Sequence, residues 1–439
     1  MADDDSGLVN SLNALTLPDK TLIAVSGGRD SMALLDACAQ ACSARQNNTA
    51  AFIAATVDHG LRDGARVEAM MVSDYCSTIN IAHETLRWNS DEPVVSAVQA
   101  RARNARYRLL IDHAYKHKCG AILTAHTQDD LAETVLMRLA RGAGARGLAA
   151  MGDEKQVASG PGAVLRLLRP MLGISRQSTT QYCKERSVPF CDDPGNQDPA
   201  FERVRWRALL GALQTQDLLT TKMVARSAGR LKSSVERENT ELSSMMARVD
   251  GVFEQWGGIS IDPQNLPALS PYQVQLLASR LVHAVSGQDY APDAERAGAA
   301  VNDALETGKS ALSGAMFHLW KSRLWVYREP AGLKGRRGAS SAPKISHVQS
   351  AGACLWDRRF IVKATINPAQ LYGQSMPITP WSGAPAALFN GPPEALESVP
   401  CLAGARGQIH APLAGFTDHQ IAWHNLSQER FFVSVIRFA

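Results

Sequence analysis

Residues 21–41 read TLIAVSGGRDSMALLDACAQA. The segment divides into an apolar run, a tight turn built on Gly27 and Gly28, and a helix-forming stretch that begins near Asp30. Two adjacent residues without a Cβ let backbone amides approach an anion closely. A helix opening at the same point directs its unpaired N–H groups and positive dipole end there as well. Ser26 and Ser31 add hydroxyl donors, so the turn suits a phosphate or pyrophosphate group. It lacks the Gly-Lys of the GxxxxGK[ST] loop and the third glycine of GxGxxG, so neither of those motifs describes it. The plainer alternative is an ordinary strand-to-helix turn with Ser or Asp capping the helix.

Outward from this turn, short apolar runs alternate with helix-length stretches. Strands are expected at Thr21–Ser26, Ala51–Asp58, Ile81–Trp88, Ala121–His126 and Val164–Arg169, with helices at Asp30–Arg45, Arg66–Asn80, Val94–Lys118 and Thr127–Arg141. That order predicts βαβ units and an α/β fold with a doubly wound parallel sheet. In such sheets ligands bind beyond the carboxyl ends of the strands, where the polar motifs after the first, second and fourth strands fall.

The remainder follows a different pattern. With 439 residues, the chain is long enough for two to four domains. We expect a catalytic domain over 1–212, then a mainly helical domain over 213–330 closed by a hairpin of Ala315–Trp320 and Arg323–Tyr327 around Lys321–Ser322. A basic linker over 331–345 and a small α+β or β-rich domain over 346–439 complete the division. No run of 18 apolar residues predicts a membrane span, and MADDDSG at the start is acidic where a secretory signal is basic. Eight cysteines with no CxxC pair read as reduced thiols, so a cytoplasmic location is expected. Net charge is only +4, yet residues 319–344 hold seven Arg/Lys against one acid, so the cationic charge is concentrated locally.

Three further motifs bear on chemistry. The second strand runs into DHGLR (58–62), a polar strand-end loop or a capped turn. The fourth runs into AHTQDDLAET (125–134), where His126, Asp130 and Glu133, spaced four and three, share one helix face. Thr127 and Asp130 also fit a helix cap, while His and carboxylates fit a metal such as Mg²⁺. In ARNARY, Arg103 and Arg106 share a helix face that is either solvated or functional. Arg203, Arg205 and Arg207 alternate in ERVRWR; they share a face in a strand and fan apart in a helix, and in either case form a cationic patch able to grip phosphates. His113 and His117 are four apart on a helix, and with lysines at 116 and 118 and no evident third ligand they read as surface residues.

SGGRDS resembles the PP-loop, SGGxDS, of ATP pyrophosphatases. Together with DHGLR, ARNARY, AHTQDDLAET, RGAGARGLAAM and DPGN followed by ERVRWR, in that order over about residues 20–210, it resembles the tRNA(Ile)-lysidine synthases. Beyond that span only SALSGAMFHLW, RLWVYRE and LWDRRF look like the family. The resemblance implies ATP-dependent joining of L-lysine to C2 of the wobble cytidine of the CAU-anticodon tRNA(Ile). An adenylated tRNA is the intermediate, and AMP and pyrophosphate are released. It further implies that Ser26, Gly27, Gly28, Arg29, Asp30 and Ser31 bind ATP, with Mg²⁺ on Asp30. Arg106 would act at the α-phosphate, Asp130 and Glu133 would bind lysine and take its proton, and His126 is an alternative base. Arg103, Arg203, Arg205 and Arg207 would hold tRNA, and a homodimer is allowed. The rivals are another PP-loop enzyme, such as a tRNA thiolase or amidating synthetase, and a non-catalytic nucleotide- or RNA-binding module.

Overall fold

The structure, a computed structural model, describes residues 4–428 apart from 45–50, 59–63, 89–97, 150, 161–162, 192–197, 289, 335–346, 349–351, 358, 365–375, 381–388, 404–408, 411–420 and 426. Two compact units divide the chain: Met1–Ser159 with Ala163–Val235, and Glu236–Arg437. Most of DHGLR, the DPGN segment, Arg336 and Arg337 lie outside the described residues, as does the side chain of Arg103. Among the described residues no helix is long and apolar enough to cross a membrane.

In the first unit α1 (Asp4–Asn13) precedes β1 (Thr21–Ala24), α2 (Arg29–Ala44), β2 (Phe52–Asp58), α3 (Gly64–Thr78), β3 (Ala82–Arg87), α4 (Val98–Lys116), β4 (Ala121–Leu123) and α5 (Gln128–Leu139). Then come α6 (Ala145–Leu148), β5 (Glu154–Gly160), β6 (Ala163–Leu168), α7 (Arg176–Glu185), α8 (Glu202–Thr215) and α9 (Thr221–Arg248), whose residues after Val235 belong to the second unit. The sheet order is β3-β2-β1-β4-β6-β5. Its first five strands pair in parallel. Successive residues of β1 serve opposite faces: Leu22 packs with Tyr107 and Leu110 of α4, and Ile23 with Met32 and Leu35 of α2. A sheet covered on both faces needs continuous apolar strands, which is why these runs do not alternate with polar residues. Each fully buried side chain of this size contributes roughly 1.5–3 kcal/mol.

A polar bolt also runs through this core. Asp36 of α2, 2% exposed, accepts hydrogen bonds from Tyr75 Oη (2.8 Å), Tyr182 Oη (2.6 Å) and Arg186 Nε (2.5 Å), tying α2 to α3 and α7. The functional consequence of the topology lies at β1. From there the chain moves one way to β2 and β3, then crosses to the other side of β1 for β4. The gap between β1 and β4 is therefore the switch point at which such sheets bind ligands, and both SGGRDS and AHTQDD open from it.

The second unit contains β7 (Val252–Phe253), β8 (Ile259–Ile261), α10 (Pro271–Ser286), α11 (Ala294–Thr307), β9 (Lys309–Leu312), β10 (Ala315–Trp320) and β11 (Arg323–Arg328). Its antiparallel sheet has the order β7-β8-β11-β10-β9. Leu277, Leu281 and Val285 of α10 share its core with Phe317, Leu324 and Val326. Ser270 and Gln273 start α10 with a reciprocal capping box. The expected hairpin is present, with Trp320 opposite Arg323. Lys321 and Ser322 both take positive φ (49° and 62°), as a two-residue turn of this hand requires. Two smaller antiparallel sheets follow. One is built from Gly352–Trp356, Phe360–Ala364 and Ile421–Asn425, the other from His347–Val348, Met376–Pro380, Pro400–Ala403 and Ile409–His410.

Candidate active site

The turn after β1 closes on itself through Ser31. Its hydroxyl donates to Gly28 O (2.7 Å), accepts from Ser26 N (3.1 Å) and lies 3.2 Å from Ser26 Oγ. Gly27 has φ +82° and carries its carbonyl to Cys191 N (2.9 Å), so an L side chain is strained there. α2 opens at Arg29, directing its first amides into the turn. Ser26, Gly27, Gly28 and Ser31 thus form a tight turn of a shape able to cradle an anion, with Arg29 and Asp30 following it at the start of α2.

The turn after β4 is capped by its own residues. Thr127 accepts from Asp130 N, and Asp130 Oδ2 accepts from Thr127 N (2.9 Å) and Oγ1 (3.0 Å). This corrects one expectation: Thr127 is the cap, so His126 lies outside α5 and does not share a helical face with Asp130 and Glu133. Its Nδ1 lies 3.0 Å from Thr124 Oγ1 instead. Asp130 and Glu133, one turn apart, do converge.

They converge on Arg176, which lies outside every motif singled out in the sequence. Arg176 Nη2 lies 3.2 Å from Asp130 Oδ1, Nη1 3.2 Å from Glu133 Oε1, and Nε 3.6 Å from Asp30 Oδ2. Its backbone N–H donates to Asp129 Oδ2 (2.7 Å), while Gln128 N donates to Ile174 O (2.9 Å), so the starts of α5 and α7 are stitched together. One residue thus joins the phosphate-type turn to the acidic pair. A sequence signal existed: a cation as the first residue of a helix opposes the macrodipole and needs an external reason. Thr179, one turn on, donates to Asp30 Oδ1 at 2.5 Å.

α8 supplies two more cations. As a helix it fans the three arginines apart. Arg207 Nε donates to Glu133 Oε1 at 2.8 Å, and Arg203 Nε lies 2.9 Å from Glu133 Oε2 without hydrogen-bond alignment. Arg203 also reaches Thr134 Oγ1 (3.2 Å) and stands 4.0 Å from Asp130 Oδ1. Arg205 turns away and donates to the carbonyls of Pro199 and Ala200. Glu133, 1% exposed, therefore faces three guanidinium groups, while Asp130 keeps 14% of its side chain open. Arg106 lies on a different helix, α4, 5.8 Å from the centre of the Tyr107 ring.

The acids titrate apart. Burial pushes the Asp30 carboxyl above its ordinary value, opposed by the Thr179 hydroxyl and Arg176 and reinforced by Asp130. Burial acts in the same direction on Asp130, but Arg203, Arg176, the Thr127 N–H and His126 outweigh it and hold the carboxyl below its ordinary range. Arg176 is held firmly protonated: burial works against its charge, but Asp130, Glu133, Asp30 and Asp129 prevail. Environments that separate two acids in this way assign them different work.

Elsewhere in the unit, His113 and His117 are not the surface pair expected. His113 is buried, and Glu84 of β3 supplies the third residue beside them. β3 and α4 are separate elements, so no helix-spacing rule reveals that contact.

Residues 7–213 match the PP-loop domain family. A tRNA(Ile)-lysidine synthase of Bradyrhizobium sp. strain BTAi1 is 36% identical over 336 residues, covering 72% of this chain and 91% of the relative. One of Rhizobium meliloti is 32% identical over 374 residues, 80% of each chain. One of Ruegeria pomeroyi is 28% identical over 441 residues, 98% of this chain and 97% of that one.

Proposed function

Because the chain belongs to the tRNA(Ile)-lysidine synthase family, we propose that the site between β1 and β4 joins L-lysine to C2 of the wobble cytidine of the CAU-anticodon tRNA(Ile). The observation that carries this reading is the single acid-arginine cluster joining an anion cradle to a carboxylate pair. The reaction needs those two functions side by side. A carbonyl-type oxygen is a poor leaving group, so it first takes AMP from ATP, with pyrophosphate departing. The lysine amine then attacks C2, and AMP leaves with that oxygen.

Residues Ser26 to Ser31 hold the ATP phosphates through backbone amides and hydroxyls, with Arg106 meeting charge at the α-phosphate. The Asp30 carboxylate at the cradle's rim would hold Mg²⁺, a hard cation that takes oxygen ligands from carboxylates and substrate phosphates. When bound there, the ion offsets phosphate charge. Lysine arrives as an ammonium, which is not a nucleophile. Asp130, ionised and partly open, draws it in; Glu133 completes the acceptor and takes a proton, with His126 as the alternative base.

Glu133 pairs with Arg176, Arg203 and Arg207. We propose that tRNA phosphates compete for Arg203 and Arg207, with Arg103 and Arg205 as further phosphate contacts, and thereby release Glu133 for lysine. A guanidinium pairs as well with phosphate as with carboxylate, so the exchange needs only a modest shift in preference. Residues 213–330, the linker at 331–345 and 346–439 serve to choose and hold the tRNA, and a homodimer is compatible with this arrangement.

The test is AMP formation from ATP with lysine and candidate tRNAs. Dependence on both lysine and an isoleucine tRNA with a CAU anticodon is expected. AMP formed with glutamine or a sulfur donor in place of lysine overturns the reading.

A further inference from the structure

At the opposite end of the first unit's sheet, the last turn of α4 packs against β3. There Glu84, His113 and His117 offer one ligating atom each within 4.8 Å of one another. His113 Nδ1 lies 3.9 Å from Glu84 Oε1, and His117 Nε2 lies 3.9 Å from Glu84 Oε2. Both distances exceed hydrogen-bond range. The two imidazole rings lie 4.4 Å apart. Nε2 of each histidine is buried without a hydrogen-bond partner among the described residues. A buried ring nitrogen left in this way is costly unless something occupies the space beside it, and in His117 that nitrogen, Nε2, is the one that faces the Glu84 carboxylate.

We propose that Glu84, His113 and His117 form a binding site for a transition-metal dication, with Zn²⁺ the best match. Two histidines at i and i+4 present their rings on one helix face, as metal sites on helices do. Two imidazoles and one carboxylate make a ligand set that Zn²⁺ takes with a fourth position left to water. Imidazole ligands select against Mg²⁺, the hard cation that suits the phosphate turn. Zinc bonds of about 2.0–2.1 Å place tetrahedral ligands about 3.3 Å apart, so the three side chains close on the ion by small rotations. Glu84 is 48% exposed and His117 32%, which leaves an entry path from solvent.

The position in the fold indicates a structural role. β3 is an edge strand of the sheet, and α4 also carries Arg103 and Arg106 towards its start. An ion held at Glu84 and the two histidines clamps the edge strand to the C-terminal end of that helix. It lies by the amino ends of the parallel strands, whereas the acid-arginine cluster lies beyond their carboxyl ends, so binding here is separate from catalysis.

The test uses the full chain stripped by chelator and titrated calorimetrically with ZnCl₂ in the presence of excess Mg²⁺. Saturable binding of one Zn²⁺ per chain is expected, together with a higher melting temperature, since a ligand bound by the native state alone stabilises it. Glu84→Gln and His117→Ala should each weaken that binding about tenfold or more, the scale at which even outer-shell changes at metal sites act. Both positions are partly open, and a melt of each metal-free variant confirms its fold. AMP formation in the metal-free variants should match that of metal-free wild type. No saturable binding by the wild type overturns the proposal. Unchanged affinity in both folded variants also overturns it, because the ion then sits elsewhere.

Discussion

Two arginine-carboxylate clusters, one in each unit, make opposite use of the same chemistry. In the first unit Arg176, Arg203 and Arg207 meet Asp30, Asp130 and Glu133 at the open ends of strands. In the second, Asp357 accepts from Arg359 Nε (2.7 Å) and Arg328 Nε (3.1 Å), and Arg359 Nη2 also donates to Ser398 O (2.7 Å). Arg359 is 1% exposed, and burial presses its guanidinium below its ordinary pKa despite Asp357. In the second cluster both arginines are buried, and each also donates to a main-chain carbonyl, Arg328 to Gly314 O and Arg359 to Ser398 O. The first holds one buried carboxylate against several cations whose outer ends reach solvent, so an incoming phosphate has something to take. What separates a staple from a site here is access to a rival partner.

That contrast can be broken experimentally, and the largest effect belongs to the staple. Arg359→Ala removes a fully buried guanidinium and leaves Asp357 with half its compensation lost, and breaking a buried pair from one side typically costs about 3–5 kcal/mol. Urea unfolding should show that loss in the second unit's transition; a loss within error would mean the cluster is not structural. Next is Arg176→Met, which leaves Asp30, Asp130 and Glu133 without their shared cation. Lysine-dependent AMP formation should fall on the order of 10²-fold, as when a preorganised electrostatic group is removed. Arg176→Lys keeps the charge but loses the fork, so it should rescue only part of the activity. Full activity in Arg176→Met would separate the acidic pair from the cradle.

Glu133→Gln sharpens the division of labour. With the fold checked by melting, lysine transfer should fall further than tRNA adenylation, measured as separate partial reactions. Equal loss of both would remove Glu133 from the lysine step. A smaller effect follows from Asp130. Its carboxyl is depressed below the ordinary 3.8, so the stability it contributes is whole above that value and is lost as pH falls through its lower folded-state pKa. The stability gap between wild type and Asp130→Asn should therefore close as the pH drops below about 3.8, in denaturant titrations at stepped pH. A gap that is constant with pH would contradict the ion pairs assigned to it. The smallest change is expected for Arg207→Ala, where the slope of log affinity for tRNA against log salt should fall by about 1. An unchanged slope would mean that Arg207 contacts no phosphate.

Much of the catalytic half was legible from local pattern. The apolar run Thr21–Ala24 and the Gly27-Gly28 turn dictate strand, turn and helix, because sterics there leave few alternatives. The Thr127–Asp130 cap was readable for the same reason, and so was the Lys321–Ser322 hairpin, where two alternating strands flank two residues. Arg176 and the Glu84–His113–His117 group were not evident, because each depends on separate elements of the fold meeting in space. Glu133 shows the limit most clearly. Its spacing from Asp130 indicated a shared face, but not that arginines at 176, 203 and 207 already fill it. The Asp357–Arg359 pair sits within LWDRRF, where nothing local marks Arg359 as buried.

The exchange proposed at Glu133 makes lysine and tRNA thermodynamically linked, and by linkage each must strengthen the other's binding equally. Lysine binding to the wild-type chain, measured by equilibrium dialysis without ATP and with or without the CAU-anticodon tRNA, tests this without any substitution. Tighter lysine binding in the presence of tRNA is the expected result. Equal lysine affinity with and without tRNA would contradict it.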